Sequence, residues 1–253
     1  MSNNNDIIKF GKIRNSCKYC LASHHCLSAN LCDEDLTTFN TMTRRRKPLQ
    51  RGEYLFKGDD KFHSIYIVHS GSVKTFVETR DGEQQITGFY FPGDLLGVDG
   101  INRRRHFYSV EALETSSFCE INFKKLEELG KNISLLQQQF HAHISREICR
   151  EQEFIHLLGR MDSKRRIAFF LMSMSTIMQK QGCSPTHIHL SMTRQDISNY
   201  LSLAIETVSR LLTTFQKNKV IDVDRRNIYI KNLNKLQDII ENDHKENIIN
   251  KSA

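Results

Sequence analysis

Leu190–Ile221 reads LSMTRQDISNYLSLAIETVSRLLTTFQKNKVI, and the punctuation of this stretch decides the architecture around it. Thr193 followed three residues later by Asp196 opens a short helix in capping-box style, each residue satisfying an orphan group of the other. That helix ends near Leu201, and Ser202–Ala204 supplies a tight turn. A second helix is predicted from Ile205 to Lys217, with Val208, Leu211, Leu212 and Phe215 at helical spacing on its buried side. Two short apolar runs follow, Val220–Val223 and Asn227–Ile230, flanking the basic turn Asp224-Arg225-Arg226. Helix, short turn, helix and hairpin make a winged helix-turn-helix.

The positions this core leaves free carry the chemistry of base reading. Glu206, Ser209 and Arg210 lie at i, i+3 and i+4, hence on one face of the second helix, and the N-terminal part of such a helix meets base edges. Arginine can donate two hydrogen bonds to guanine, glutamate can accept from cytosine, and serine adapts to either. Thr193 and Arg194 on the first helix, with Arg225 and Arg226 on the wing, complete the expected DNA-contacting set. The plainer alternative is a solvated face with an internal Glu206–Arg210 ion pair. Charge favours DNA. The 253-residue chain has 36 Lys+Arg against 29 Asp+Glu; residues 162–253 hold 14 and 9 of them, net +5, and residues 1–161 hold 22 and 20, net +2. A basic C-terminal third suits a polyanionic partner.

Toward the N-terminus the signal becomes one of turns. Eight of the twelve glycines lie between Gly52 and Gly100 and none beyond Gly182, so tight turns concentrate in that stretch. Tyr54–Phe56, Ser64–His69, Ser72–Glu78, Gln85–Tyr90, Ser109–Ala112 and Phe118–Ile121 are short, rich in β-branched or aromatic residues, and separated by KGDD, HSG, TRDGE and PGD. Residues 48–122 are therefore expected to form an antiparallel barrel or jelly-roll-like unit. After Phe123 the period changes. From Asn132 to Leu158 there is no Gly or Pro, and Ile133, Leu136, Phe140, Ile144, Ile148, Ile155 and Leu158 recur in steps of three and four or their sums. That is one long helix with a narrow seam.

The seam could pack on its own barrel or on a second copy of the chain. Its polar flanks, Gln137, Gln138, His141, Arg146 and Arg150, favour a homodimer interface of Phe140, Ile144, Ile148, Glu151, Ile155 and Leu158. Glu151 is the odd member: two symmetry-related carboxylates would repel, so the seam looks weakened there. The fold class is α+β, with a cysteine-rich arm (1–32), an antiparallel β-roll sensor domain of jelly-roll type (33–130), a dimerisation helix (131–160) and a winged helix-turn-helix DNA-binding domain (161–253).

The arm contains CKYCLASHHC, which spaces Cys17, Cys20 and Cys26 by two and five residues, with Cys32 six further on. Thiolates so spaced bind soft metals or iron–sulfur clusters. No apolar run approaches the ~18 residues that span a bilayer, and MSNNNDIIKFGKIRNSCKYC lacks the apolar core and cleavage site of a signal peptide. A cytoplasmic chain without membrane contact is expected, and its cysteines point to metal or redox chemistry rather than disulfides. A local zinc site would use the three cysteines with His24 or His25. An iron–sulfur cluster would want a fourth thiolate, for which Cys119 at the end of a predicted strand is available. The residues alone leave these two readings level, with unmetallated thiols as a third. Cys149 and Cys183 are expected to be structural. GxGxxG, GxxxxGK[ST] and HExxH are all absent, so no enzyme of those classes is expected.

Taken together, these segments resemble the cyclic-AMP receptor protein/FNR family of bacterial transcription regulators over roughly residues 14–245, most closely its oxygen-sensing FNR branch. The resemblance is carried by CxxCx5C, RRRKPLQRGEYLFKGDD, GEQQITGFYFPGDLLG, LETSSFCEI, the long helix, and MTRQDISNYLSLAIETVSRLL. The last contains that branch's ExxSR reading motif as Glu206, Ser209 and Arg210. The resemblance implies that Cys17, Cys20, Cys26 and Cys119 hold a [4Fe-4S] cluster, with Cys32 no ligand although it could replace one. Glu151 resembles the acidic residue that branch places on its seam. An oxygen-responsive regulator is implied, active as a cluster-loaded homodimer on double-stranded DNA, at an inverted repeat of TTGAT-like half-sites. Surface loops would contact RNA polymerase, residues 79–85 among them. Where cyclic-nucleotide-binding relatives carry an Arg-Ser pair for the phosphate, this chain has His106 and Phe107, preceded by Arg103, Arg104 and Arg105. The rival reading is a regulator responsive to a cyclic nucleotide or other small ligand, with a structural zinc in the arm. An iron–sulfur redox enzyme would leave the helix-turn-helix unexplained.

Overall fold

Every residue but the last two of SIYIVHS, strand β3 (Ser64–Ser70), is buried, because it lies inside a sheet covered on both faces. The computed structural model describes residues 17–20, 22–79 and 81–241; part of the arm, Arg80 of the 79–85 loop and the chain end lie outside the described residues. The glycine-rich middle folds into two antiparallel sheets. One contains β1 (Thr43–Arg45), β8 (Ser117–Asn122), β3 and β6 (Leu95–Leu96), in that order; the other runs β2 (Tyr54–Phe56), β7 (Ser109–Ala112), β4 (Val73–Glu78) and β5 (Gln84–Tyr90). Phe56, Tyr66, Val68, Val73, Tyr90, Val110 and Phe118 meet between the sheets. The alternate residues Ile65, Ile67, Cys119 and Ile121 face outward, where Leu27 of the arm, Phe39 of α1 (Asp33–Met42) and Phe123 and Leu126 of α3 (Phe123–Asn132) cover them. Burial on both faces explains an apolar strand without alternation. A one-turn helix, α2 (Gly100–Arg103), links β6 to β7.

Two expectations are corrected here. Cys119 lies within β8, not at its end, and faces Arg45 of β1 across the ladder. The long helix, α4 (Ser134–Arg160), begins two residues later than its apolar pattern suggests, because Ile133 adopts extended angles and caps it. The seam is also divided. Ile133 and Leu136 are buried in the outer sheet cluster, and the Phe140 ring packs 6.1 Å from that of Phe123. That end of the helix packs on its own roll.

Beyond Phe140 the helix carries two ladders one residue apart. His143, Glu147, Arg150, Phe154 and Leu157 turn toward their own chain: Arg150 stacks over Tyr90 at 4.0 Å and donates to Glu147 at 2.7 Å, and Phe154 stacks on Tyr200 at 4.4 Å. Ile144, Ile148, Glu151 and Ile155 form the second ladder, with Ile148 50% and Ile155 69% exposed. Leu158 packs against the C-terminal core.

That core is built by α5 (Ser163–Lys180), β9 (His187–His189), α6 (Arg194–Tyr200), α7 (Ile205–Lys217), β10 (Ile221–Asp224), β11 (Asn227–Ile230) and α8 (Leu233–Glu241). The predicted capping box at Thr193 and Asp196 is present. The wing gains a third strand in the order β10-β11-β9. Arg166 clamps the junction with α4, donating to the carbonyls of Leu158, Met161 and Leu201 at 2.8–2.9 Å. Helix α6 docks on the edge strand β5: Asn199 accepts from the Ile86 N–H and donates to the Gln84 carbonyl, both at 2.6 Å. Lys74 of β4 reaches Asp196 at 3.0 Å and Glu111 at 3.4 Å. Among the described residues no helix is long and apolar enough to cross a membrane.

Candidate functional site

The reading face follows from the packing of α7. Val208, Leu212 and Phe215 are buried, which leaves Glu206, Ser209 and Arg210 exposed on the opposite side. The side-chain hydroxyls of Thr213 and Thr214 are spent on the Ser209 and Arg210 carbonyls. Glu206 and Arg210 make no ion pair within 4.0 Å, so both heads remain available, in contrast to the solvated-pair alternative. Arg225 and Arg226 are exposed at a two-residue turn set by the Asp224–Asn227 register, and Arg225 adopts the left-handed conformation such turns require. Thr193 is occupied: its hydroxyl accepts from the Asp196 N–H at 3.0 Å and donates to the carboxylate at 2.6 Å. Arg194 is half-buried and its Nη1 has no hydrogen-bond partner among the described residues.

Cys17, Cys20, Cys26 and Cys119 line one cavity of about 380 Å3, together with Ser28, Asn40, Arg44, Arg45 and His69. Two 3-10 turns, Cys17–Tyr19 and Ser23–His25, fold the arm over β8, and the Cys17 N–H donates to Asn40 of α1 at 3.2 Å. Burial, then the neighbouring Cys26 and Cys20, push the Cys17 thiol up to about 11. Burial and Cys26 push Cys119 up to about 12, with Arg45 pulling the other way. Among the described residues no three His, Cys, Asp or Glu side chains form a group set to hold a single metal ion. His24 and His25 are not on the cavity wall, and His25 Nε2 donates to the Lys180 carbonyl at 2.7 Å. Cys32 is exposed at the N-cap of α1, away from the cavity. Cys149 and Cys183 are both exposed, so neither packs in a core as a structural cysteine would.

The arm touches both α4 and the end of α5. His143 of α4 is buried and meets the Cys26 backbone; burial, with Arg146 beside it, pushes its pKa down to about 4 and keeps the ring neutral. Gly93, at φ +97°, lets the arm sit close: a side chain there would meet His25 Cβ at 3.1 Å. His25 then reaches Lys180 at the end of α5. None of these contacts has a sequence signature, since each joins residues more than 60 positions apart.

At the position expected of a cyclic-phosphate pair stand His106 and Phe107, on the wall of a cavity of about 760 Å3 that Lys57, Arg103 and Arg105 also line. His106 is buried, stacked on Phe56 at 3.7 Å and 3.4 Å from the Asp99 carboxylate, while the Phe107 ring turns outward. Arg105 is paired with Asp59 at 3.1 Å and Arg103 lies over Phe107.

The chain is similar to known proteins along both the roll and the C-terminal domain. Residues 46–132 match the cyclic nucleotide-binding domain family, and residues 165–239 the Crp-like helix-turn-helix domain. The transcriptional activator protein Anr of Pseudomonas protegens is 41% identical over 214 residues, 85% of this chain and 88% of its own. The fumarate and nitrate reduction regulatory protein of Vibrio cholerae is 39% identical over 223 residues, 88% of this chain and 89% of its own. Among solved structures, FixK2 from Bradyrhizobium japonicum superposes with a TM-score of 0.70 at 26% identity, covering 78% of this chain and 96% of its own. With likeness this extensive along both domains, the chain belongs to the FNR branch of the cyclic-AMP receptor protein/FNR family, and is a DNA-binding transcription regulator rather than an enzyme.

Proposed function

We propose that the chain is an oxygen-responsive regulator of anaerobic transcription in the cytoplasm, whose Cys17, Cys20, Cys26 and Cys119 hold a [4Fe-4S] cluster. The observation that carries this reading is the gathering of these four thiols, three from the arm and one from β8, on one cavity wall. Their chemistry fits: four soft thiolates on one wall, without His24 or His25, are the donor set an iron–sulfur cluster takes. When bound, the cluster supplies an oxygen-labile link between arm and roll.

The chain's residues do the rest. With the arm fixed, Cys26 seats His143 and so the roll-facing ladder of α4, and His25 holds the end of α5. The outward ladder of Ile144, Ile148, Glu151 and Ile155 then pairs with its symmetry mate in a homodimer. Two copies of Glu206, Ser209 and Arg210 meet an inverted repeat of TTGAT-like half-sites in successive major grooves. Arg194, Arg225 and Arg226 contact the backbone beside them, whereas Thr193, its hydroxyl and N–H both donated to Asp196, serves to hold that helix start in place, and the 79–85 loop faces RNA polymerase. His106 and Phe107 stand where the phosphate-holding pair would, and the His106 ring is already engaged by Phe56 and Asp99, which speaks against a cyclic-nucleotide effector.

The test is anaerobic purification with iron and sulfide analysis, followed by DNA binding before and after air exposure. Near-stoichiometric iron and sulfide, lost with DNA binding in air and absent from Cys119→Ser but kept by Cys32→Ser, is the expected result. A full complement in Cys119→Ser would remove the fourth ligand from the scheme.

A further inference from the structure

Two arginines, Arg44 and Arg45, and the Ser28 hydroxyl line the cysteine cavity; Arg44 is exposed, while Arg45 and the hydroxyl serve neither arm packing nor DNA reading. Arg45 ends β1, and the ladder register sets it opposite Cys119. It is half-buried on the cavity wall and its side chain has no ion pair or hydrogen bond with any described residue. Its electrostatic neighbours are Cys17, Cys119 and His69. Arg46, the next residue, is engaged instead with Glu120 at 4.0 Å, the Leu55 carbonyl and the Tyr66 ring. Ser28 is 5% exposed, and its Oγ has no partner of ordinary geometry; the groups it acts on are the Cys17 and Cys26 thiols.

No Asp or Glu lines this cavity. A half-buried guanidinium without an anion is costly unless something negative sits beside it, and the Ser28 hydroxyl, whose nearby acceptors are the Cys17 and Cys26 sulfurs, is better satisfied when those sulfurs carry negative charge. A [4Fe-4S]2+ core held by four thiolates is net dianionic and rich in sulfur acceptors, and so answers both.

We propose that Arg45, assisted by the Ser28 hydroxyl, is the built-in counter-charge for the group held by the four cysteines, a positioning residue that stabilises its negative charge and sets how readily it takes up an electron. The inference rests on the cluster reading above. In the step that tests it, one electron passes from an electrode to the core, 2+ becoming 1+. No bond forms or breaks and no proton moves. The net charge grows more negative, so a cation beside it favours uptake.

The experiment uses anaerobically purified full-length protein, with iron and sulfide assayed and the reduction midpoint measured by spectroelectrochemistry. An adjacent opposite charge commonly changes such an equilibrium roughly tenfold or more, which for one electron is about 59 mV. Arg45→Ala is expected to lower the reduction constant roughly tenfold and to release iron to a chelator faster under argon. Arg45→Lys, which keeps the charge, recovers most of both; Ser28→Ala shifts them less, in the same direction; Arg46→Ala leaves them unchanged. If Arg45→Ala keeps full iron and sulfide at the parental midpoint, the counter-charge role is wrong and the cluster reading survives. If Arg45→Lys fares no better than Arg45→Ala, charge is not what the residue supplies. A parent protein without iron and sulfide overturns the cluster reading itself.

Discussion

Replacing Glu151 by alanine should convert the oxygen-treated protein from monomer to dimer. Burying an isoleucine side chain completely is worth about 1.5–3 kcal/mol. Ile155 is still 69% exposed and Ile148 50%, so covering them returns on the order of 1–2 and ~1 kcal/mol per subunit. Symmetry doubles this, to roughly 4–6 kcal/mol. Opposing it, the two Glu151 carboxylates would approach one another on the seam. At an effective dielectric of about 20 and a separation of about 6 Å, two such charges repel by ~3 kcal/mol, and flexible side chains relieve part of that. The net effect of Glu151→Ala is therefore a dimer tighter by about 1–3 kcal/mol, roughly 5–150-fold in Kd. Burial first, and then Glu147, already hold the Glu151 carboxyl above its ordinary value, with Arg150 opposing. A mate across the seam raises it further, so dimerisation takes up protons. The parent should therefore dimerise more strongly as pH falls into the range just above the ordinary carboxylate value, and Glu151→Ala should lose that dependence. Sedimentation equilibrium in air reads both effects. An aerobic Glu151→Ala protein as monomeric as its parent would refute the reasoning and return the outward ladder to some other use.

Ile155→Glu should act in the opposite sense and keep the anaerobic protein monomeric by the same assay. Arg210→Ala and Glu206→Ala should each lose about 1–3 kcal/mol of discrimination at particular base pairs, read by binding-site selection; an unchanged consensus would remove the base-reading role. Arg225→Ala should weaken binding to all sequences alike and flatten its salt dependence, the signature of a phosphate contact. Asn199→Ala strips partners from the Ile86 N–H and the Gln84 carbonyl, which costs ~1–3 kcal/mol and should appear as earlier proteolysis between roll and DNA-binding domain with the reading face intact.

The C-terminal domain was legible nearly residue by residue. Its signals are local: a capping box at Thr193, a helical spacing from Val208 to Phe215, and a turn at Arg225 whose consequences fall within a few residues. Helix α7 has the predicted bounds, Ile205–Lys217. The sheets were legible where strands alternate or carry turn chemistry, but β1 and β6, three and two residues long, are too short to show a period. Helix α1 was missed because Phe39 alone anchors it. The long helix misled in a different way. Ile133, Leu136 and Phe140 continue the apolar spacing of Ile148 and Ile155, yet they bury against the roll. Spacing records which face of a helix is apolar and is silent on what covers it. Arg45, Ser28, His143, Arg166 and Asn199 left no trace, because each acquires its role from a partner brought close only by folding.

On the proposed function, the two ladders of α4 would carry an event at the arm to both the dimer seam and the DNA-binding domain. His143 and Ile144 are adjacent, as are Glu147 and Ile148, Phe154 and Ile155, so the roll-facing and outward-facing residues share one rigid backbone. A change in how His143 seats against Cys26 would, on a rigid helix, re-aim Ile144 and Ile148 with it. The roll-facing ladder runs on through Phe154 to Tyr200 of α6, and Arg166 ties the Leu158 and Met161 carbonyls to Leu201, the residue that ends the first helix of the helix-turn-helix. Helix α7 begins four residues later, at Ile205. Movement of the long helix is thus passed to α6 by a stacked ring and a guanidinium clamp. The α6–β5 hydrogen bonds of Asn199 resist that movement, so Asn199→Ala and arm loss should free the reading helix by separable routes.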